Sequence, residues 1–222
     1  MHSFLDIHTH REEADPDVRS IYNVHIDTAG MDVEMPPSDG GLSMGLHPWF
    51  LTEANKDMQF RLLAQHADDD VVKLIGECGF DKLRGPAMPL QRAVFEQQVQ
   101  LALTCGKPVL IHCVRAFDEL ASFGKRYAHS IPMVIHGFNK SPEQAKQLTN
   151  QGFFLSFGAA ILNEASGAAA TLRKIDCPFF LETDDAIVDI RTVYEQAAFL
   201  RNVTQEVLKD TIFASWKTIQ LI

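Results

Sequence analysis

Short apolar or β-branched runs recur along this chain, and their recurrence restricts its fold more than any other feature. They lie at 3–8, 20–27, 42–47, 71–76, 108–112, 132–136, 153–157 and 178–182. Several are almost continuously apolar, which suits strands covered on both faces, as in a parallel sheet. Helical patterns separate the later runs. Pro89 takes the favoured first-turn position of one helix, and Leu90, Val94, Leu101 and Cys105 then share a face. Gly106-Lys107-Pro108 ends it. Ser141 before Pro142 and Glu143 reads as the cap of a second helix, with Gly152 as its stop. From Thr204 onward, Leu208, Ile212, Trp216 and Ile219 share another helical face. Eight such strands alternating with helices within 222 residues predict an α/β chain, a (β/α)8 TIM barrel in one domain spanning 1–222. Pro36-Pro37-Ser38-Asp39-Gly40-Gly41 is loop sequence, so the early helices are expected to be incomplete.

Six of the eight runs end in a group able to bind metal or move a proton. The first ends Asp6-Ile7-His8-Thr9-His10, the third Gly45-Leu46-His47, the fourth Ile75-Gly76-Glu77 and the fifth Leu110-Ile111-His112. The sixth ends Val134-Ile135-His136, and the eighth Leu181-Glu182-Thr183-Asp184-Asp185. In a parallel barrel these ends converge on one rim, where barrel active sites are built. His8 and His10 stand two apart on extended chain, so their imidazoles point to the same side and can chelate one ion. Glu77 and Asp184 complete that site in this reading, while His112 and His136 hold a second ion and Glu77 bridges the two. Paired divalent ions polarise a phosphoryl oxygen and lower the pKa of a shared water. Asp184 is the candidate base for that water, and His47 the candidate for contacting substrate or protonating a leaving group. Zinc, manganese, magnesium and nickel are all candidates for the two ions, since imidazoles with carboxylates suit several divalent cations. Arg115 and Lys140, just past ligand-bearing runs, are candidate phosphate contacts. His2, His25, His66 and His129 fall outside the pattern, and Lys73 opens a run instead of ending one.

Composition narrows the substrate. A net charge of −9 speaks against a broad basic groove for long nucleic acid. It leaves phosphoester chemistry open, because a bound cation supplies local positive charge. Cys78, Cys105, Cys113 and Cys177 form no C-x-x-C pair and lie in apolar surroundings, so they are expected to be buried thiols in a reducing compartment. No apolar run is long enough to span a membrane and none resembles a signal peptide, so a cytoplasmic location without membrane or obligate protein partner is expected.

Taken in order, these motifs resemble the TatD family of metal-dependent hydrolases. The resemblance runs from Asp6-Ile7-His8-Thr9-His10 through Gly45-Leu46-His47-Pro48, Ile75-Gly76-Glu77-Cys78-Gly79-Phe80-Asp81 and Phe95-Glu96-Gln97-Gln98. It continues through Pro108-Val109-Leu110-Ile111-His112 and His136-Gly137-Phe138 to Glu182-Thr183-Asp184. It implies a barrel, one or two metals, and phosphodiester hydrolysis of DNA or a nucleotide-like substrate, typically as a deoxyribonuclease. Position by position it makes His8, His10, Glu77, His112, His136 and Asp184 metal ligands and His47 the substrate-contacting histidine. Three departures lie on the substrate rim: Asp185-Ala186-Ile187-Val188, Val114-Arg115 and Asn139-Lys140-Ser141. The competing reading, favoured by that short rim, is a metal-dependent amide or ester hydrolase acting on aminoacylated RNA or a small metabolite. A non-catalytic scaffold is the third class, and it gives no reason for six convergent ligands.

Overall fold

The computed structural model describes residues 2–11, 15–26 and 40–222. Among them run eight strands: β1 (Phe4–Thr9), β2 (Val18–His25), β3 (Leu42–Gly45), β4 (Val72–Asp81), β5 (Val109–Val114), β6 (Met133–Ile135), β7 (Phe153–Phe157) and β8 (Phe179–Leu181). They form one sheet in sequential order from β1 to β8. The pairs β1–β2, β3–β4, β4–β5 and β7–β8 are parallel. This is the strand order of the expected (β/α)8 barrel. The helices are α1 (Lys56–His66), α2 (Met88–Cys105), α3 (Phe117–Tyr127), α4 (Pro142–Asn150), α5 (Gly167–Leu172), α6 (Ile190–Arg201) and α7 (Gln205–Thr218), with short 3-10 turns at Pro48–Phe50 and Ala159–Leu162. The predicted Pro36–Gly41 loop lies largely outside the described residues.

The described residues fall into two compact units. One contains residues 2–11, 15–22, Gly40 and Ile135–Ile222; the other contains 23–26 and 41–134. In the first, Thr9 and Asp184 form a parallel bridge, and the Asp184 N–H donates to the His8 carbonyl at 2.9 Å. The chain leaving β8 is thus pinned to the end of β1. Tyr194 on α6 secures the other end of β1: its hydroxyl donates to the Leu5 carbonyl and accepts from the Leu5 N–H, each at 3.1 Å. Helix caps follow the sequence signals. Ser141 accepts from the Gln144 N–H and Thr204 from the Val207 N–H. Leu208, Ile212, Trp216 and Ile219 are buried as expected.

The second unit departs from expectation in two instructive ways. β4 runs on to Asp81, past Gly76, where the sequence run ended, and past Gly79. Both glycines have φ near the upper end of the left-handed region, +145° and +141°. A Cβ on them would lie 2.3 Å from the Leu110 carbonyl oxygen and 2.2 Å from that of His112. Glycine here permits close approach to β5 and does not end the strand. The buried face of α2 is also rotated from the predicted one. It presents Gln91, Val94, Phe95, Gln98, Val99 and Ala102, while Leu90, Leu101 and Cys105 are only half-buried. The glutamines are inside because the backbone they meet needs partners. Gln98 accepts from the Leu46 N–H at 2.7 Å, and Gln91 accepts from the Asp81 N–H at 2.8 Å and donates to the Asp81 carbonyl at 2.9 Å. The thiol expectation is corrected as well: Cys78 is buried, whereas Cys105, Cys113 and Cys177 are half-buried. Burial pushes the Cys78 thiol far above its ordinary value.

Candidate metal centre

Two bulges prepare the backbone for the candidate ligands. Asp6 pairs with Ser20 and Thr9 with Tyr22, so β1 holds one extra residue around Ile7 and His8. Ile75 pairs with Val109 and Cys78 with Ile111, so β4 holds one extra around Gly76 and Glu77. A bulge breaks strict alternation and re-aims the side chains beside it. Each unit carries its own cluster of imidazoles and carboxylates.

In the first unit the ends of β1, β6 and β8 supply the groups. His8 is fully buried, and its Nε2 lies 3.3 Å from Asp184 Oδ1; His10 Nε2 lies 3.5 Å from the same oxygen. The two rings sit edge to face with centroids 5.0 Å apart, and His8 meets His136 at 4.7 Å. His136 Nδ1 is 3.7 Å from Glu182 Oε1 and 4.0 Å from Asp184 Oδ2. Glu182 Oε1 also accepts from the Gly137 N–H at 2.5 Å, while Oε2 is buried with no hydrogen-bond partner. Burial acts to raise the Asp184 carboxyl, but hydrogen bonds from His10 and His8 and the nearby His136 outweigh it and hold the group well below the carboxylate range. Asp184 adopts φ +54°, an uncommon conformation for a residue with a side chain, held by the bonds to His8 and His10 on either face of the bridge. Behind the cluster, Asp6 is pushed up to about 7 by burial, against hydrogen bonds from Thr183 and from the His8 N–H. Asp6 Oδ2 accepts from the Thr183 hydroxyl at 2.7 Å and Oδ1 from the Thr183 N–H at 3.1 Å.

In the second unit Glu77 is the hub. Its Oε1 lies 3.1 Å from His47 Nε2 and 2.8 Å from His112 Nδ1, and its N–H donates to Asn23 Oδ1 at 3.1 Å. His47 Nδ1 accepts from the Trp49 N–H at 3.1 Å. That bond leaves the His47 proton on Nε2, aimed at Glu77. His112 Nε2 faces Asp81 Oδ2 at 3.3 Å. Asp81 also accepts from the Trp49 indole N–H at 2.6 Å and from the Leu83 and Arg84 N–H groups at 2.7 and 3.0 Å. Burial raises this carboxyl, yet the donors from Trp49, Leu83, His112 and Arg84 prevail and hold it below its ordinary value.

The groups His8, His10, Asp184, then His136, Glu182, Asp184, then His47, Glu77, His112 each offer ligand atoms within 4.8 Å of one another. These donor sets fit a divalent cation of borderline hardness, and the buried, unpartnered Glu182 Oε2 is a negative group left for one to satisfy. Arg115, one residue beyond β5, is exposed with φ +52°, and Lys140 is exposed at the start of α4 with its carbonyl accepting from the Thr171 hydroxyl. Asp185 is exposed. Glu182, Asp81 and Trp49 received no role from the sequence. Glu182 stands two residues before Asp184 on the same chain exit, a spacing that could have found it. Asp81, four beyond Glu77, was hidden by the apparent stop at the glycines.

A family profile described as TatD related DNase matches residues 6–215. The Escherichia coli (strain K12) protein called uncharacterized metal-dependent hydrolase YjjV is 32% identical over 149 residues, 64% of this chain and 56% of its own length. A protein of Cronobacter turicensis called 3'-5' ssDNA/RNA exonuclease TatD is 28% identical over 153 residues, 63% of this chain and 58% of its own. The chain therefore spans less than two thirds of the length of these relatives. Among solved structures, the YJJV TatD homologue of Escherichia coli K12 matches with a TM-score of 0.77 at 22% identity, over 97% of both chains. A hydrolase TatD family protein of Entamoeba histolytica matches with a TM-score of 0.77 at 13% identity, over 98% of both. These two likenesses show the fold.

Proposed function

This chain belongs to the TatD-related DNase family, and from that premise we propose that it is a divalent-metal-dependent hydrolase cleaving phosphodiesters of DNA or a nucleotide-like substrate. The observation that carries the proposal is the gathering of His8 and His10 within 3.5 Å of one oxygen of Asp184, with His136 and Glu182 beside them. A divalent ion bound by these residues would supply a water of lowered pKa and polarise a phosphoryl oxygen. His8, His10 and Asp184 are the ligands assigned to one ion, with His136 and Glu182 at its side. Glu77 and His112 are the ligands assigned to a second. Asp184 remains ionised and accepts the proton of the attacking water. His47, whose Nε2 faces Glu77, is the residue assigned to contact the substrate or protonate its leaving group. Arg115 and Lys140 are the cations assigned to the substrate phosphate. The exonuclease name of the Cronobacter relative points the proposal toward single-stranded ends, in keeping with a chain whose net charge of −9 provides no long basic track.

The test uses one preparation loaded in turn with manganese and zinc. Single-stranded DNA and a model phosphodiester should be hydrolysed, and an ester and an amide should not. The reverse pattern assigns the chain to acyl chemistry and overturns the proposal. Glu77→Ala should abolish turnover and lower bound metal by elemental analysis, and a fully active variant contradicts its ligand role.

A further inference from the structure

Beside the His47–Glu77–His112 cluster the second unit exposes an unusual group of side chains. Trp49 is 41% exposed, Phe50 52% and Leu83 60%. Trp49 is nonetheless fixed in place: its indole N–H is bonded to Asp81 at 2.6 Å. Its ring meets His47 and His112 edge to face, with centroids 4.9 and 5.5 Å away. Arg84 lies over the indole, its Cζ 4.2 Å from the ring centroid. The other arginines parked on aromatic rings have polar partners. Arg126 is paired with Glu96, Arg191 with Asp15, and Arg201 donates to the carbonyls of Leu172 and Ile175. Among the described residues Arg84 has no carboxylate partner, although the chain carries 29 acidic residues against 20 basic ones. It is an exposed guanidinium whose Cζ sits over an indole that is itself held by Asp81.

We propose that Arg84 on Trp49 forms a stacking seat for a nucleobase, placing the base of a nucleotide substrate beside His47 and His112. This rests on the phosphodiesterase reading above and names the part of the substrate that the reading leaves open. A guanidinium plane over an indole takes a base by stacking and offers its charge to the attached phosphate. The seat is tolerant of base identity, since every base has a π-face. The bond from Trp49 to Asp81 supplies the rigidity, so little freedom is lost when a base settles.

The test is direct binding to metal-free protein, which separates it from turnover. Of the two tryptophans, Trp216 is fully buried and Trp49 exposed, so quenching of fluorescence reports on Trp49. Deoxyadenosine monophosphate should quench saturably and bind about tenfold tighter than deoxyribose 5-phosphate. Arg84→Ala, an exposed substitution, should remove most of that preference. Arg84→Lys, which keeps the charge and loses the plane, should retain sugar-phosphate binding and lose the preference. Equal affinity of wild type for the two ligands, or an unchanged preference in both variants, overturns the seat. Phosphodiester turnover without a base preference would sink the seat and leave the proposed function standing; a base preference without turnover would do the opposite.

Discussion

The imidazole of His112 lies 2.8 Å from Glu77 through Nδ1 and 3.3 Å from Asp81 through Nε2, and these two carboxylates are held differently. Asp81 is saturated with donors: an indole N–H, two backbone N–H groups and the imidazole itself. It has no capacity to spare for a cation, so its part is to keep the proton of His112 on Nε2 and leave Nδ1 toward Glu77. Asp81→Asn should therefore weaken divalent-ion binding by about 10- to 100-fold with little change in fold. Calorimetric titration of the variant with manganese or zinc checks this, and Asp81→Glu should recover part of the affinity. Equal affinity in wild type and Asp81→Asn would show that the contact is incidental. The candidate ligands were legible in sequence because they end apolar runs. Glu182, which ends the eighth run, could have been read the same way, whereas Asp81 lies beyond its run and is defined by a partner distant in sequence, His112.

At the scale of elements, strand identity was written in continuous apolar runs, and all eight appear within a few residues of their predicted places. What the runs did not show is where strands thicken by a residue. A bulge is set by pairing with a neighbour, and only the glycines of Gly76-Glu77-Cys78-Gly79 hint at it. Gly79→Ala should be costly on two counts, a φ of +141° and a Cβ driven to 2.2 Å from the His112 carbonyl oxygen. The expected result is a loss of several degrees in Tm together with weakened metal binding, because the displaced strand carries His112. A variant as stable and as metal-competent as wild type would show that the close approach of Gly79 to β5 is dispensable. The face of α2 was misread for a related reason: helical periodicity counts apolar residues, and this helix turns two glutamines inward to serve the Leu46 and Asp81 backbones. Tyr194 offers a second check on element pairing. Its hydroxyl serves both polar groups of Leu5 in a buried setting, and burial drives its phenol pKa well above the ordinary value. Tyr194→Phe should destabilise by about 1–3 kcal/mol, the cost of leaving buried backbone groups unsatisfied. Urea denaturation measures it, and a change near zero would mean that water replaces the hydroxyl.

For the molecule as a whole, the acidic balance and the candidate site pull in opposite directions until a cation is bound. A net charge of −9 already disfavours the compact state by self-repulsion, and the first unit adds a fully buried Glu182 next to Asp184. A divalent ion held by these groups binds the native chain far better than the unfolded one, where the ligands from 8 to 184 are scattered. Stability should then rise with metal by mass action, about 2.7 kcal/mol when the free ion stands at a hundred times its dissociation constant. For a chain of 222 residues that is a rise in Tm of roughly 5–10 °C. Thermal unfolding of chelator-treated protein against protein titrated with manganese or zinc gives the comparison, with potassium at equal ionic strength separating binding from screening. Asp184→Asn should lose most of the rise, because it removes the negative charge of the carboxylate that faces both His8 and His10. A Tm indifferent to divalent ions in the wild-type chain would mean that the imidazoles and carboxylates are packed for structure alone, and the hydrolytic reading would fall with the metal.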